Sequence, residues 1–306
     1  MDFFSHIARV GKYFIPARLR PAMRERYSLM VRKLLNAGEK RKLTRYLNSG
    51  GSYIRWYADR LDDRSGMQME TNERLGRILA QYPTGVDDLV VAKKLGLEPH
   101  HTLHEFGCGD LRSGNHFVAY LDAGNYSAND ASRRRLEDGA TCLERIDLGH
   151  KNAKLIVNAD NSFDWLDGRT FDYVWAGAVL GHMPEADISD LFVNLRKIMR
   201  PGSKFIFTYS QARVSDFRKY NTVEKASEIA RRDGNIHVIK AIEGGSGRDC
   251  IEVSVKDWFH TIDFFKRIAP DFVIEDVTHL EPAENCDTFP MWSGLAIARL
   301  AAPARP

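Results

Sequence analysis

A cluster of three glycines constrains the fold of this chain more than any other feature. In residues 101–115 (HTLHEFGCGDLRSGN), a short apolar run is followed by Gly107, Gly109 and Gly114. Glycine lets the backbone turn sharply and lets a ligand approach main-chain N–H groups closely. Apolar residues then recur at helical spacing, at Phe117, Tyr120 and Leu121. The segment therefore predicts a strand, a glycine turn and a helix, the unit that opens a nucleotide-binding α/β sheet. The structural alternative is an ordinary βα turn without a ligand.

The spacing of the glycines bears on which nucleotide is bound. A dinucleotide fingerprint has its third glycine three residues after the second, but that position is Arg112 here. The next glycine lies five residues after Gly109, and this wider turn suits a ligand without pyrophosphate. The missing glycine disfavours an NAD(P)-dependent oxidoreductase, which stays an alternative hypothesis. Another alternative is a non-catalytic protein that keeps the fold and serves as a cofactor-binding or scaffold protein.

The motif EFGCG at residues 105–109 resembles the first motif of class I S-adenosylmethionine-dependent methyltransferases. The resemblance covers roughly residues 102–300 and continues in YSAND at 126–130, NAD at 158–160, FDYVWA at 171–176 and LRKIMRPGSKF at 195–205. It implies S-adenosyl-L-methionine as the cofactor and methyl transfer as the reaction. Ala128 departs from the pattern, since many relatives have glycine there, and Asp110 and Arg112 replace part of the glycine-rich turn.

Strand and helix patterns alternate from residue 102 onward, as in a parallel sheet with helices on both faces. We predict helices at 186–199 and at 258–268, and strands at about 102–107, 126–130, 153–159, 171–176 and 203–209. By the resemblance, 272–277 and 295–300 close the sheet as an antiparallel pair. The predicted fold class is α/β: a doubly wound, mostly parallel, seven-stranded sheet of the class I methyltransferase type, with an N-terminal helical extension.

The predicted domains are a basic helical extension or cap at 1–99 and an S-adenosylmethionine-binding methyltransferase domain at 100–302. Segment 211–250 is longer than a simple connection and predicts a lid insertion or a flexible hairpin. In the resembling family, N-terminal helices often cover the cofactor cleft. Four residues are therefore candidates for the pocket as well as for ordinary core packing: Tyr53, Trp56, Tyr57 and Met67.

The basic charge is concentrated at the start of the chain. Residues 1–47 carry 12 Lys and Arg against 3 Asp and Glu, a charge of +9, whereas the remainder has 32 basic and 38 acidic residues. Apolar residues recur at helical spacing between 23 and 35, after Pro21. This basic amphipathic helix is a candidate for peripheral contact with an anionic membrane or another polyanion. The alternative is a helix docked on the domain with its basic face in solvent.

Location and partner class follow from what the sequence lacks. Its four cysteines, at 108, 142, 250 and 286, do not have the local spacing of a zinc site. From this cysteine spacing we expect no metal and a reduced, cytoplasmic setting. No stretch approaches transmembrane length, so we expect a soluble protein. A nucleic-acid partner is disfavoured for two reasons. The chain has no Asn-Pro-Pro-Tyr type base-flipping motif, and its basic residues are remote in sequence from the predicted methyltransferase domain.

Asp130 is the first candidate cofactor ligand. It ends the second predicted strand, 21 residues beyond Gly109, where a carboxylate can accept hydrogen bonds from both ribose hydroxyls. A nicotinamide cofactor would use the same group. The resemblance further implies that Asp160 hydrogen-bonds the adenine amino group and that Asn161 offers a backbone N–H. The alternative is that Asp160 caps the following turn.

The resemblance also assigns the other end of the cofactor. Glu105 would lie at the amino-acid end, where a carboxylate complements an ammonium group and orders the glycine turn. The alternative for Glu105 is a structural hydrogen bond to backbone. Gly107, Cys108 and Gly109 would present backbone N–H groups, and Ala176 a backbone contact near the sulfonium. Cys108 is not expected to act as a nucleophile, because no nearby base would activate it.

His182 is the candidate catalytic residue. Methyl transfer is an in-line displacement that depends largely on positioning and desolvation, but a general base helps when the acceptor atom is oxygen. His182, in VLGHM, follows the fourth predicted strand. We predict that it acts as the base or orients the acceptor, a small molecule or glycan methylated at oxygen. The alternative is a packing role, and we expect His101, His104 and His116 at helix faces or strand edges.

Overall fold

A computed structural model shows one large mixed sheet flanked by helices and one small two-stranded sheet. It describes residues 37–64, 69–209, 250–254, 257–280 and 294–301. The predicted basic helix at 23–35, Met67 and all of the predicted insertion except residue 250 lie outside this part of the chain.

The large sheet has seven strands, which are β1 (Leu103–Phe106), β2 (Tyr126–Asp130), β3 (Lys154–Val157), β4 (Phe171–Ala176), β5 (Met199–Tyr209), β8 (Phe272–Asp276) and β9 (Gly294–Leu300). Their order across the sheet is β3-β2-β1-β4-β5-β9-β8. The first five are parallel, and β9 is antiparallel to both β5 and β8. The predicted fold class is confirmed. Strand order reverses between β1 and β4, and ligands of such sheets bind beyond the carboxyl ends of the strands at this point.

Eight α-helices in the described part of the chain surround the sheets. They are α1 (37–48), α2 (Tyr53–Arg64), α3 (Thr71–Gln81), α4 (Val86–Lys94), α5 (Gly114–Tyr120), α6 (Arg133–Arg145), α7 (Glu185–Leu195) and α8 (Ile262–Ile268). None of them combines the length and apolarity that a membrane crossing requires.

Both faces of the sheet are covered at its centre, where the side chains of a strand alternate between two hydrophobic cores. On β4, Val174 and Ala176 belong to the core beneath α7 and α8, whereas Tyr173 and Trp175 belong to the core beneath α3 to α6. All residues of β1 and β2 are buried. The loops that follow β1 and β2 therefore begin from fully buried strands at the centre of the sheet.

Two predicted helices differ from the observed ones. Helix α7 ends at Leu195, four residues earlier than predicted, because Met199 pairs with Phe171 and begins β5. The predicted helix at 258–268 is wrong in its first part. Residues Asp257–His260 form β7, which pairs with β6 (Cys250–Ser254), and helix α8 starts only after Thr261, whose side chain caps it by accepting the N–H of Phe264.

The helices α1 and α2 are joined to β7 by a small aromatic core. Leu43, Tyr53, Trp56 and Trp258 are buried together, and the rings of Tyr53 and Trp258 meet edge to face with centroids 5.4 Å apart. This core fixes α2 beside the carboxyl edge of the large sheet.

Candidate active site

A cleft of about 380 Å³ lies between helix α2 and the carboxyl ends of β1 to β4. One face of α2 supplies Tyr53, Ile54, Tyr57, Ala58 and Leu61. The strand ends and the loops after them supply Phe106, Gly107, Asn129, Asp130, Ala131, Arg135, Asn158, Ala159, Asp160, Asn161, Ala178, Val179, His182 and Met183. The cleft therefore occupies the switch point of the sheet.

The glycine turn after β1 needs glycine for two separate reasons. Gly107 and Gly109 have φ angles of +73° and +58°. Residues other than glycine adopt this left-handed region only with backbone strain. A Cβ on Gly107 would also lie 2.6 Å from Cγ2 of Val179. The turn after β1 thus approaches the turn after β4 so closely that no side chain fits between them.

Asp130 connects the ends of β2 and β1. Its Oδ2 accepts the N–H of Gly109 and its Oδ1 accepts the N–H of Ser132, both at 2.8 Å. Because a carboxylate offers about four lone-pair positions, two bonds leave acceptor capacity for a ligand. Burial raises the pKa of Asp130 above its ordinary value, although the Arg135 guanidinium and the two N–H groups oppose this.

Asp160 and Asn161 lie in the loop after β3 and differ in their surroundings. Oδ1 of the exposed Asp160 accepts the N–H of Ser162 at 2.6 Å. The side chain of Asn161 is buried, and its Nδ2 donates to the carbonyl of Asp187 at 3.1 Å. Its Oδ1 has no partner within the described residues. A buried acceptor of this kind costs free energy unless a donor reaches it.

Four of the predicted cofactor residues do not line the cleft. Glu105 is buried behind it, where Oε2 accepts the hydroxyl of Tyr126 at 2.6 Å. Burial raises the pKa of Glu105 to about 8 and also raises the pKa of the Cys108 thiol. Gly109 lies beneath the side chain of Arg135, and Ala176 is fully buried. These residues support the turns from behind, and the lining after β4 comes instead from Ala178 and Val179.

His182 does line the cleft, in a turn of 3₁₀ helix, Leu180–His182, that follows β4. Its imidazole stacks on the ring of Tyr57, with centroids 5.4 Å apart and planes at 25°. Tyr57 in turn stacks on Tyr53 at 6.1 Å. Helix α2 therefore holds the plane of the candidate catalytic ring.

Of the four predicted pocket candidates on the N-terminal helices, Tyr53 and Tyr57 line the cleft, whereas Trp56 lies in the aromatic core. The other histidines lie elsewhere. His104, which we expected at an edge or on a helix face, is fully buried in the central strand and contacts Ser127 and Asn129 at 3.3 and 3.0 Å. Burial lowers the pKa of His104 to about 3.

The sequence reasoning missed Asn129, Arg135 and Asn158. The asparagines stand at or just after strand ends, a placement that could have singled them out. Arg135 is one of three consecutive arginines, and only the helical phase of α6 decides which of them faces the cleft. Among the described residues, no group of three His, Cys, Asp or Glu could hold a metal ion.

Residues 104–205 match the family model described as a methyltransferase domain. Similar solved structures include magnesium protoporphyrin IX methyltransferase from Synechocystis PCC 6803 with bound S-adenosylmethionine, at 12% identity and TM-score 0.49 over 82% of this chain and 98% of that one. The glycopeptide N-methyltransferase MtfA is 16% identical with a TM-score of 0.47, over 71% and 90%. The YcgJ protein of Bacillus subtilis is 10% identical with a TM-score of 0.47, over 71% and 98%. The family match identifies a methyltransferase domain at residues 104–205, which run from β1 into β5 of the large sheet.

Proposed function

We propose that the protein methylates a hydroxyl oxygen of a small molecule or glycan, with His182 as the general base. One observation carries the proposal: the imidazole of His182 faces the cleft after β4, whereas the polar groups suited to a nucleoside, those of Asp130 and Asn161, follow β2 and β3. Cofactor binding and acceptor activation would therefore occupy different strand ends.

The described residues fit the adenosine part of S-adenosylmethionine. Asp130 would accept the ribose hydroxyls while it still holds the N–H of Gly109. Asp160 and Asn161 would hold the adenine, and the buried Oδ1 of Asn161 is the acceptor that still lacks a donor. Gly107 leaves the room in which a ligand can approach the turn. Glu105, Cys108, Gly109 and Ala176 would shape these turns without facing the ligand.

S-adenosylmethionine supplies an activated methyl group when bound. The protein would then need to orient the acceptor, exclude water and take up one proton. His182 would accept the hydroxyl proton at a ring nitrogen as the new oxygen–methyl bond forms, and the Tyr57 ring would keep the imidazole in place. Phe106, Val179 and Met183 make this part of the cleft apolar, which strengthens electrostatic interactions there.

The acceptor side of the cleft favours a compact organic molecule. Tyr53, Ile54 and Tyr57 form an aromatic and aliphatic wall beside the turn of His182. Such a wall suits a planar molecule or the apolar face of a sugar ring. By supplying this wall, residues 1–99 would act as a cap on a methyltransferase domain formed by 100–302.

The basic start of the chain would serve a separate purpose. We propose that it attaches a cytoplasmic protein peripherally to an anionic membrane or another polyanion. Residues 1–36 hold eight Lys and Arg against two Asp and Glu. A variant that lacks these residues keeps Leu43, which packs against Trp56 and Trp258. Vesicles with anionic lipid should sediment the full chain better than the deletion variant at low salt and equally at high salt. Equal sedimentation at low salt would contradict this proposal.

The acceptor atom can be tested by isotope transfer. The protein is incubated with S-adenosylmethionine labelled with ¹³C in its methyl group and with pools of hydroxylated metabolites and glycans. We expect a product whose methyl chemical shift marks attachment to oxygen. Transfer of the label to nitrogen or carbon would contradict the proposed acceptor atom while leaving the family assignment intact.

A further inference from the structure

His104 is a buried polar residue in the central strand β1, and the proposed reaction does not use it. Its side chain is fully buried, and the rings of Phe163, Trp165 and Phe171 surround it with centroids 5.1 to 6.0 Å away. A polar ring in such a place costs free energy unless both of its nitrogens have partners. The contacts of the two nitrogens therefore indicate the role of the residue.

Both ring nitrogens of His104 contact polar side chains of the neighbouring strand β2. Nδ1 lies 3.3 Å from Oγ of Ser127, and Nε2 lies 3.0 Å from Oδ1 of Asn129. Burial lowers the pKa of His104 to about 3, so the imidazole is neutral at neutral pH and carries one N–H. Because an amide oxygen can only accept a hydrogen bond, this N–H belongs at Nε2, and Nδ1 accepts the hydroxyl hydrogen of Ser127.

These two hydrogen bonds fix the amide of Asn129, which lines the cleft one residue before Asp130. The side chain is nearly buried, with 2% of the residue exposed. No described residue accepts a hydrogen bond from its Nδ2, and this atom is not among those that are sealed from solvent. Since His104 holds the oxygen end of the planar amide, the nitrogen end is left to serve a ligand.

We propose that His104 is a positioning residue, which turns the amide nitrogen of Asn129 toward the cleft so that it donates a hydrogen bond to the adenine ring of the cofactor. The proposal rests on the proposed use of S-adenosylmethionine. Asn129 adjoins Asp130, which would bind the ribose, and its strand pairs with β3, whose following loop carries Asp160. Asp160 would bind the adenine amino group. Ring nitrogen N3 is the adenine acceptor that lies near the ribose on the edge away from the amino group, so we expect Nδ2 to meet N3.

Calorimetry with two ligands tests the proposal without any assay of turnover. The ligands are S-adenosylhomocysteine and its 3-deaza analogue, in which a C–H group replaces N3. We expect wild-type protein to bind the analogue about 5- to 30-fold more weakly, because the Asn129 donor then lacks its acceptor. His104→Phe keeps a ring in this place but removes the donor to Oδ1, so it should weaken S-adenosylhomocysteine to the level of the analogue. His104→Gln, whose amide can donate to Oδ1 and accept from Ser127, should keep most of the difference.

Phe171→Leu is the matched control, since it disturbs the packing around the same imidazole and should leave the ratio of the two affinities unchanged. If His104→Phe keeps the wild-type ratio, His104 only packs and the proposal is refuted. If wild-type protein binds both ligands equally well, the proposal is refuted without recourse to a variant, even should His104→Phe fail to fold. If wild-type protein binds neither, the proposed methyl transfer fails together with this role of His104.

The tautomer of His104 supplies a second measurement, which needs no ligand. In ¹⁵N-labelled protein, the chemical shifts of the two ring nitrogens of a neutral imidazole show which of them carries the proton. We expect the proton of His104 on Nε2, as the acceptor Oδ1 of Asn129 requires. A proton on Nδ1 would mean that Asn129 turns its Nδ2 toward His104 and its oxygen toward the cleft, which would overturn the proposal whether or not the cofactor binds.

Discussion

Oδ2 of Asp130 accepts the N–H of Gly109 at 2.8 Å, which ties the end of β2 to the glycine turn after β1. One carboxylate thus shapes the turn and lines the cleft. The groups that would bind the ribose are consequently in position before the ligand arrives, and preorganisation of this kind lowers the cost of binding.

We expect Asp130→Ala to weaken S-adenosylmethionine binding by about 1–3 kcal/mol, roughly 5- to 150-fold, because ribose hydroxyls would lose their acceptor. Isothermal titration calorimetry measures this directly. Asp122→Ala, at an exposed position in the turn before β2, is the matched control and should bind normally. Unchanged affinity of a folded Asp130→Ala variant would remove Asp130 from the ribose site.

Gly107 and Gly168 offer a matched pair, since their φ angles are +73° and +74° but only Gly107 has a neighbour within 4 Å. Alanine at either position should lower the free energy of unfolding by about 1–3 kcal/mol through backbone strain. Only Gly107→Ala should also weaken the cofactor, because its methyl group would displace Val179 from the cleft wall. Denaturant unfolding and calorimetry on both variants distinguish the two effects. Equal loss of affinity in both would show that the approach to Val179 does not matter for binding.

Glu105 should make stability depend on pH. Burial raises its pKa in the folded protein to about 8 from an ordinary value of 4.5. Between these values the folded state keeps a proton that the unfolded state has lost, so its contribution to stability is fully present below the lower pKa and declines as pH rises, by up to about 1.4 kcal/mol per pH unit.

Glu105→Gln removes this titration while its amide oxygen can still accept the Tyr126 hydroxyl. We expect the variant to gain stability relative to wild type as pH rises from about 5 to about 8, measured by urea unfolding at several pH values. The exposed Glu137→Gln is the control. Parallel stability curves for wild type and Glu105→Gln would mean that Glu105 is ionised inside the folded protein.

The sequence indicated the sheet well because its signals are local. The glycine turn, the alternation of strands with helices and the acidic end of β2 are all readable from neighbouring residues, and Gly107, Asp130, Asp160, Asn161 and His182 do line the cleft. What the sequence did not show is tertiary. Pattern alone could not place Glu105 behind the cleft against Tyr126, because a central parallel strand is buried on both faces and local spacing does not say which face meets a ligand.

The start of α8 and the role of α2 were hidden for the same kind of reason. Aromatic residues at 258–260 suit a helix or a strand equally, and pairing with β6 decided for the strand. That Tyr57 lines the cleft while Trp56 lies in the aromatic core depends on how α2 docks against Trp258, which no local spacing encodes.

His182→Ala should lower turnover about 10²- to 10⁴-fold, as for loss of a general base, while S-adenosylmethionine binds with nearly unchanged affinity. The measurement is the initial rate with an acceptor identified by the labelled-methyl screen, and the exposed His100→Ala is the control. Normal turnover by His182→Ala would leave His182 only a packing role.

The most direct measurement is calorimetry of the wild-type protein with S-adenosylmethionine and, separately, with NADH. A methyltransferase domain with Arg112 in place of the third dinucleotide glycine should bind the sulfonium compound and show no heat of binding with NADH. Tight binding of NADH together with no binding of S-adenosylmethionine would contradict the account.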